Sequence, residues 1–162
     1  MMDAIFQRLI TDNFSELPGL EVRARVPVSE RLVNEIISVS LQETKNIEYC
    51  RLSIGGQNRV TANIKTSLWP WPFSLKLKLF REVDFSGSPK VRAFLENHVL
   101  LGKLGALFKA LPDWIMLYED QVSLDIGSFL QAPEQKRYLQ FVKAVEISTE
   151  IGKIIFDVKI QN

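Results

Sequence analysis

The chain has 162 residues, 46% of them hydrophobic, with 20 Lys and Arg against 19 Asp and Glu. That length supports one domain with a sizeable core, and a formal net charge of +1 removes the global attraction expected of a nucleic-acid binder. The single cysteine, Cys50, excludes an internal disulfide and a cysteine-based metal site, so a reducing, cytoplasmic setting is expected.

The opening MMDAIFQRLITDNF lacks the features of a signal peptide, and no apolar run approaches the length that crosses a bilayer. From Met2 to Phe14, apolar Met2, Ile5, Phe6, Leu9 and Ile10 recur at helical spacing and predict a short amphipathic helix within residues 1–16. Leu17-Pro18-Gly19 ends it. In LEVRARVPV, Val22, Ala24 and Val26 alternate with Glu21, Arg23 and Arg25, which predicts a strand with one buried face, closed by Pro27.

Ser29 is placed to cap a second helix, because its hydroxyl can accept a free backbone N–H of the first turn. Leu32, Val33, Ile36, Ile37 and Ser40 form the stripe of that helix, which is expected to run to about Glu43. IEYCRLSI and RVTANIKT flank Gly55-Gly56-Gln57-Asn58 and predict a hairpin, with the glycines expected to supply positive φ. The corner Trp69-Pro70-Trp71-Pro72 follows, and then a strand in which Phe73, Leu75, Leu77 and Leu79 face one way and Ser74, Lys76 and Lys78 the other.

Val83 to Leu95 continues the sheet, interrupted by Ser86-Gly87-Ser88-Pro89. Leu100, Leu101, Leu104, Leu107, Phe108 and Leu111 define a third helix ended by Pro112; Gly102 and Gly105 inside it each cost about 1 kcal/mol relative to alanine, so packing must hold it. Trp114 to Leu117 and Gln121 to Ile126 read as two short strands, Ala132 to Gln140 as a short helix or turn, and the end as a hairpin turning at Thr149 to Gly152. Strands joined by tight turns favour an antiparallel sheet with helices on one face. The expected fold is therefore a single α+β domain over residues 1–162, a curved antiparallel sheet packed on or wrapped around two to three helices.

Catalytic chemistry is hard to find. His98 is the only histidine, so a histidine-based triad and a two-histidine metal site are excluded within one chain. Gly102-Lys103-Leu104-Gly105 lacks the phosphate-loop spacing. Glu119, Asp120 and Asp125 have no motif around them and read as solvated turn residues, while Ser123 and Ser128 lack a nearby base. No enzyme activity, metal or cofactor is expected.

RARVPVSERLVNEIISVSLQ, the hairpin, the lysine-studded strand, GKLGALFKALPDWIMLYEDQVSLDIGSFL and the closing hairpin near GKIIFDVKIQ resemble, in element order and apolar spacing, small bacterial proteins of the tubular lipid-binding superfamily. That superfamily includes the bactericidal/permeability-increasing protein. The resemblance covers residues 20–162 and implies a strongly curved sheet wrapped on a helix, with an elongated apolar groove for acyl chains. The predicted function is non-enzymatic binding of a lipid or other apolar ligand between sheet and helices, with Leu32, Ile36, Leu75, Leu77, Leu104, Leu107 and Phe108 against the ligand.

Proline has no N–H to give to a ladder, so the Trp-Pro corner must lie at an edge or in a loop. Trp69 and Trp71, with Lys76 and Lys78, are the expected contacts to a membrane surface, peripherally, or to a partner protein. The alternative function is an interaction or scaffold protein with a filled core, the same corner serving a homodimer. Stacking of single-stranded nucleic acid on the tryptophans is the weakest use, given the even charge.

Overall fold

Period-two alternation of apolar and polar residues organises most of the described chain into strands. The computed structural model describes residues 19, 21–42, 44–85, 87–97, 111–129 and 142–161. In chain order these form β1 (Glu21–Ser29), α1 (Glu30–Leu41), β2 (Ile47–Ile54), β3 (Arg59–Thr66), β4 (Phe73–Leu79), β5 (Lys90–Leu95), β6 (Ile115–Tyr118) and β7 (Gln121–Asp125). A 3₁₀ turn (Ile126–Phe129), β8 (Val142–Glu150) and β9 (Lys153–Gln161) follow. One sheet has the order β1-β9-β8 and the other β2-β3-β4-β5-β7-β6, with every pairing antiparallel. The architecture is mixed α+β, with sheet curled into a half-barrel.

The two sheets are stitched where turns meet. Glu82 bridges Glu146, and the Val83 N–H donates to the Val145 carbonyl at 3.0 Å. Asn58 acts as a bolt: its N–H donates to Thr149 Oγ1 at 2.8 Å, its amide to the Ile147 carbonyl at 3.1 Å, and its Oδ1 accepts the Thr149 N–H at 3.0 Å. Gly152, at φ +78° in the β8–β9 turn, donates to the Ile54 carbonyl and accepts from the Glu30 N–H, 2.9 and 2.8 Å. The start of α1 and both hairpin tips thus share one junction.

Inner faces meet in two apolar clusters. Leu41, Ile47, Ala62, Ile64, Leu75 and Leu95 form the first, with Ile37, Phe73, Leu77 and Trp114 packed on it. Ile54, Val60, Val83, Ile147 and Ile154 form the second, against Val33, Leu79, Val145 and Phe156. The helix α1 starts on Ser29, whose hydroxyl accepts the Leu32 N–H at 3.2 Å as the sequence predicts.

Several boundaries differ from expectation for identifiable reasons. Pro27 lies inside β1, opposite Ile155, which an edge strand tolerates because one side of its backbone needs no donor. Positive φ in the β2–β3 turn falls on Gln57 and Asn58, at 59° and 60°, where Asn58 is held by its bonds to β8; Gly55 and Gly56 do not take it. Helix α1 ends at Leu41, and the strand predicted across 83–95 is paired in full only from Lys90. Among the described residues there is one α-helix; the first and third predicted helices and the Ala132–Gln140 element lie outside them. No described helix is long and apolar enough to cross a membrane.

Candidate functional site

Strand β2 is the edge of the six-stranded sheet, and α1 covers it by imitating a neighbouring strand. Asn34 donates its amide to the Leu52 carbonyl at 2.9 Å and accepts the Leu52 N–H at 2.7 Å, while a Glu30 carboxylate oxygen accepts the Ile54 N–H at 2.8 Å. Backbone groups that an edge leaves open are satisfied by side chains. The helix axis is thereby fixed along the edge.

That anchoring decides which way the rest of α1 points. Val33, Ile37 and Leu41 enter the two cores, whereas Arg31, Glu35 and Ser38 line an outer cleft of about 880 Å³ together with Tyr49, Arg51 and Asn63. At 3.6 residues per turn Leu32 and Val39 project away from the core-facing stripe of Val33, Ile37 and Leu41, with Ile36 between them and the core. Leu32, Ile36 and Val39 are 47%, 50% and 66% exposed. A helix normally buries its apolar stripe, and here Leu32, Ile36 and Val39 stay uncovered while Val33, Ile37 and Leu41 are packed.

The three-stranded sheet also carries exposed apolar residues. Val22 and Val26 pair with Ile160 and Phe156, so they share a face with Phe156, Ile147 and Ile154 of the second core; both valines are exposed. Ser29 joins β1 directly to α1, so the exposed Val22 and Val26 and the exposed Leu32, Ile36 and Val39 lie on consecutive elements. Leu75, buried in the first core, and Leu77, half-buried against it, are packed. Cys50 also sits against that core, where burial pushes its thiol up to about 11. Leu104, Leu107 and Phe108 lie outside the described residues.

The Trp-Pro corner is the β3–β4 connection, residues 67–72, at the end of the sheet where α1 finishes. Ser67 N–H donates to the Asn46 carbonyl at 3.1 Å. The Lys65 ammonium reaches the carbonyls of Trp69 and Thr66, at 3.0 and 3.2 Å, and the Glu48 carboxylate at 3.4 Å. Lys65 lies on the face of β3 opposite the core-facing Ile64, so the Trp69 carbonyl is held on that outer face; Leu68, Trp69 and Trp71 are 54%, 41% and 75% exposed. Lys76 and Lys78 lie on the outer face of β4, also exposed, with Lys78 roughly 20 Å along the strand from Pro72. The structure does not bring Lys78 to the tryptophans.

Three contributors escaped the sequence reading. Val39 follows Ile36 at helical spacing and was open to detection; Asn34 and Lys65 act through partners 18 residues away and through loop carbonyls, which no local pattern shows. Among the described residues there is no group of three or more His, Cys, Asp or Glu able to hold a metal. No protein-family model, curated protein or solved structure matches the chain.

Proposed function

We propose that the protein binds a lipid or other apolar ligand without chemical turnover, in a groove between the sheets and helices. The observation that carries this reading is the uncovered apolar surface on two consecutive elements, Val22 and Val26 of β1 and Leu32, Ile36 and Val39 of α1. An acyl chain laid there is stabilised by about 0.8 kcal/mol per buried methylene, so chain length sets affinity. The tubular lipid-binding resemblance of the sequence motivates the same reading, and the role of Leu104, Leu107 and Phe108 as further ligand contacts is part of the proposal.

Native mass spectrometry of protein purified from cells, followed by organic extraction, tests it. A recurring added mass that extracts as a lipid is the expected result. The competing reading, an interaction or scaffold protein with a filled core, draws on the tight packing of Leu95 and Ile147 in the two clusters. A bare protein mass with no uptake of fluorescent fatty acid or phospholipid selects that reading.

A further inference from the structure

Resting on the apolar-ligand reading above, we infer that the Trp-Pro loop docks the protein tip-first on a phospholipid bilayer, which makes membrane lipid the source of the ligand. Leu68, Trp69 and Trp71 place three exposed large apolar side chains within four residues. Pro70 and Pro72 keep this segment out of any strand ladder, so it cannot recruit a partner by edge pairing. Lys65 fixes the loop through its bond to the Trp69 carbonyl, so the exposed apolar side chains are presented without the loop having to order on contact.

Size separates a bilayer from a second copy of the chain. With full side chains worth ~150–250 Å², the three exposed residues offer at most about 400 Å². Two such tips meeting bury less than the roughly 1,000 Å² that a specific protein interface requires. A bilayer interface has no such threshold: tryptophan settles there with its ring among acyl carbons and its N–H among headgroups. Exposed Lys45, in the turn next to Asn46 and hence beside Ser67, supplies a cation at headgroup level.

The tip lies at the same end of the molecule as the C-terminus of α1. Helix α1 ends at Leu41, whose carbonyl accepts the Thr44 N–H, and the Asn46 carbonyl accepts the Ser67 N–H. The Leu32–Ile36–Val39 flank therefore descends toward the loop at one residue per turn. Of the exposed apolar residues of α1, Val39 is thus nearest the loop end of the helix, followed by Ile36 and Leu32.

Flotation of the full chain with vesicles of phosphatidylcholine, and of phosphatidylcholine containing phosphatidylglycerol, tests the docking, with uptake of a fluorescent fatty acid in vesicle-free buffer measured on the same samples. Wild type is expected to float, more strongly with the anionic lipid. Trp71→Ser is expected to lower partitioning about tenfold or more, Trp71→Phe to restore most of it, and both variants to keep fatty-acid uptake. Since Trp71 is 75% exposed, an unchanged circular-dichroism melt confirms the fold of each. Wild type remaining unbound with both vesicles, or Trp71→Ser floating as well as wild type, overturns the docking. So does a wild-type dimer that Trp71→Ser dissociates, which assigns the loop to a second copy. Loss of fatty-acid uptake in wild type defeats the apolar-ligand reading separately.

Discussion

Replacing Asn34 with Ala tests how α1 is held on the edge of the sheet. The substitution removes two hydrogen bonds to Leu52, 2.7 and 2.9 Å, each worth about 0.5–1.5 kcal/mol net. The site is half-buried, so water recovers part of the loss, and alanine favours the helix over asparagine by roughly 0.5 kcal/mol. The balance is a destabilisation of about 1–2 kcal/mol, which for a chain of this length lowers the melting midpoint by roughly 2–8 °C. Urea titration gives the free energy, and hydrogen exchange at the Leu52 amide reports the site itself. Asn34→Asp keeps an acceptor for Leu52 N–H but sets a charge against the Leu52 carbonyl, and it is expected to rescue little. An unchanged midpoint together with unchanged protection of the Leu52 amide refutes the edge-capping role of α1.

Thr66 is fully buried and its Oγ1 has no hydrogen-bond partner; Thr66→Val, nearly the same shape, is expected to stabilise the fold by about 1–2 kcal/mol in urea titration. Gly127 passes so close to Ser88 Oγ and Pro89 Cδ that an added Cβ would sit 1.9 and 3.1 Å from them; Gly127→Ala is expected to cost about 1–3 kcal/mol, with Ser88→Ala recovering part of it. The Asp125 carboxyl is held below its ordinary range, first by the Ser88 hydroxyl and then by donors at Ser128 and Gly127. A depressed folded-state value contributes stability above the unfolded carboxylate range that is lost as pH falls through the folded value. Denaturation midpoints near pH 6 and pH 3 are expected to converge more in Ser88→Ala than in wild type.

Alternation made most of the sheet legible. FSLKLKL and RVTANIKT put Leu75, Ala62 and Ile64 inside and Lys76 and Lys78 outside, as the register shows, because a strand with one buried face writes its orientation in every second residue. What the sequence concealed is long-range. Pairing of β1 with β9 joins residues near opposite ends of the chain, and this is why Pro27 could be read as a terminator rather than as an edge residue. The bolt at Asn58 and the Lys65 latch depend on acceptors supplied by other strands and by loop carbonyls.

For the site, the helical stripe identified Leu32 and Ile36 but not their environment. Spacing alone gives Val33 and Leu32 equal claims to burial, and only the anchoring of Asn34 and Glu30 on β2 turns Val33 inward while leaving Leu32 uncovered. The Trp-Pro corner was placed in a loop by proline chemistry. That Lys78 lies far from it follows from the length of β4, which the sequence also contained.

The uncovered flank of α1 is tested most directly by titrating a fluorescent long-chain fatty acid into wild type and Ile36→Glu. Ile36 is 50% exposed, so glutamate is tolerated by the fold but sets a charge in the path of an acyl chain. An open groove predicts saturable uptake by wild type and affinity weaker by about tenfold or more in Ile36→Glu, at matched thermal stability. Equal uptake by the two proteins, or none by wild type, contradicts it.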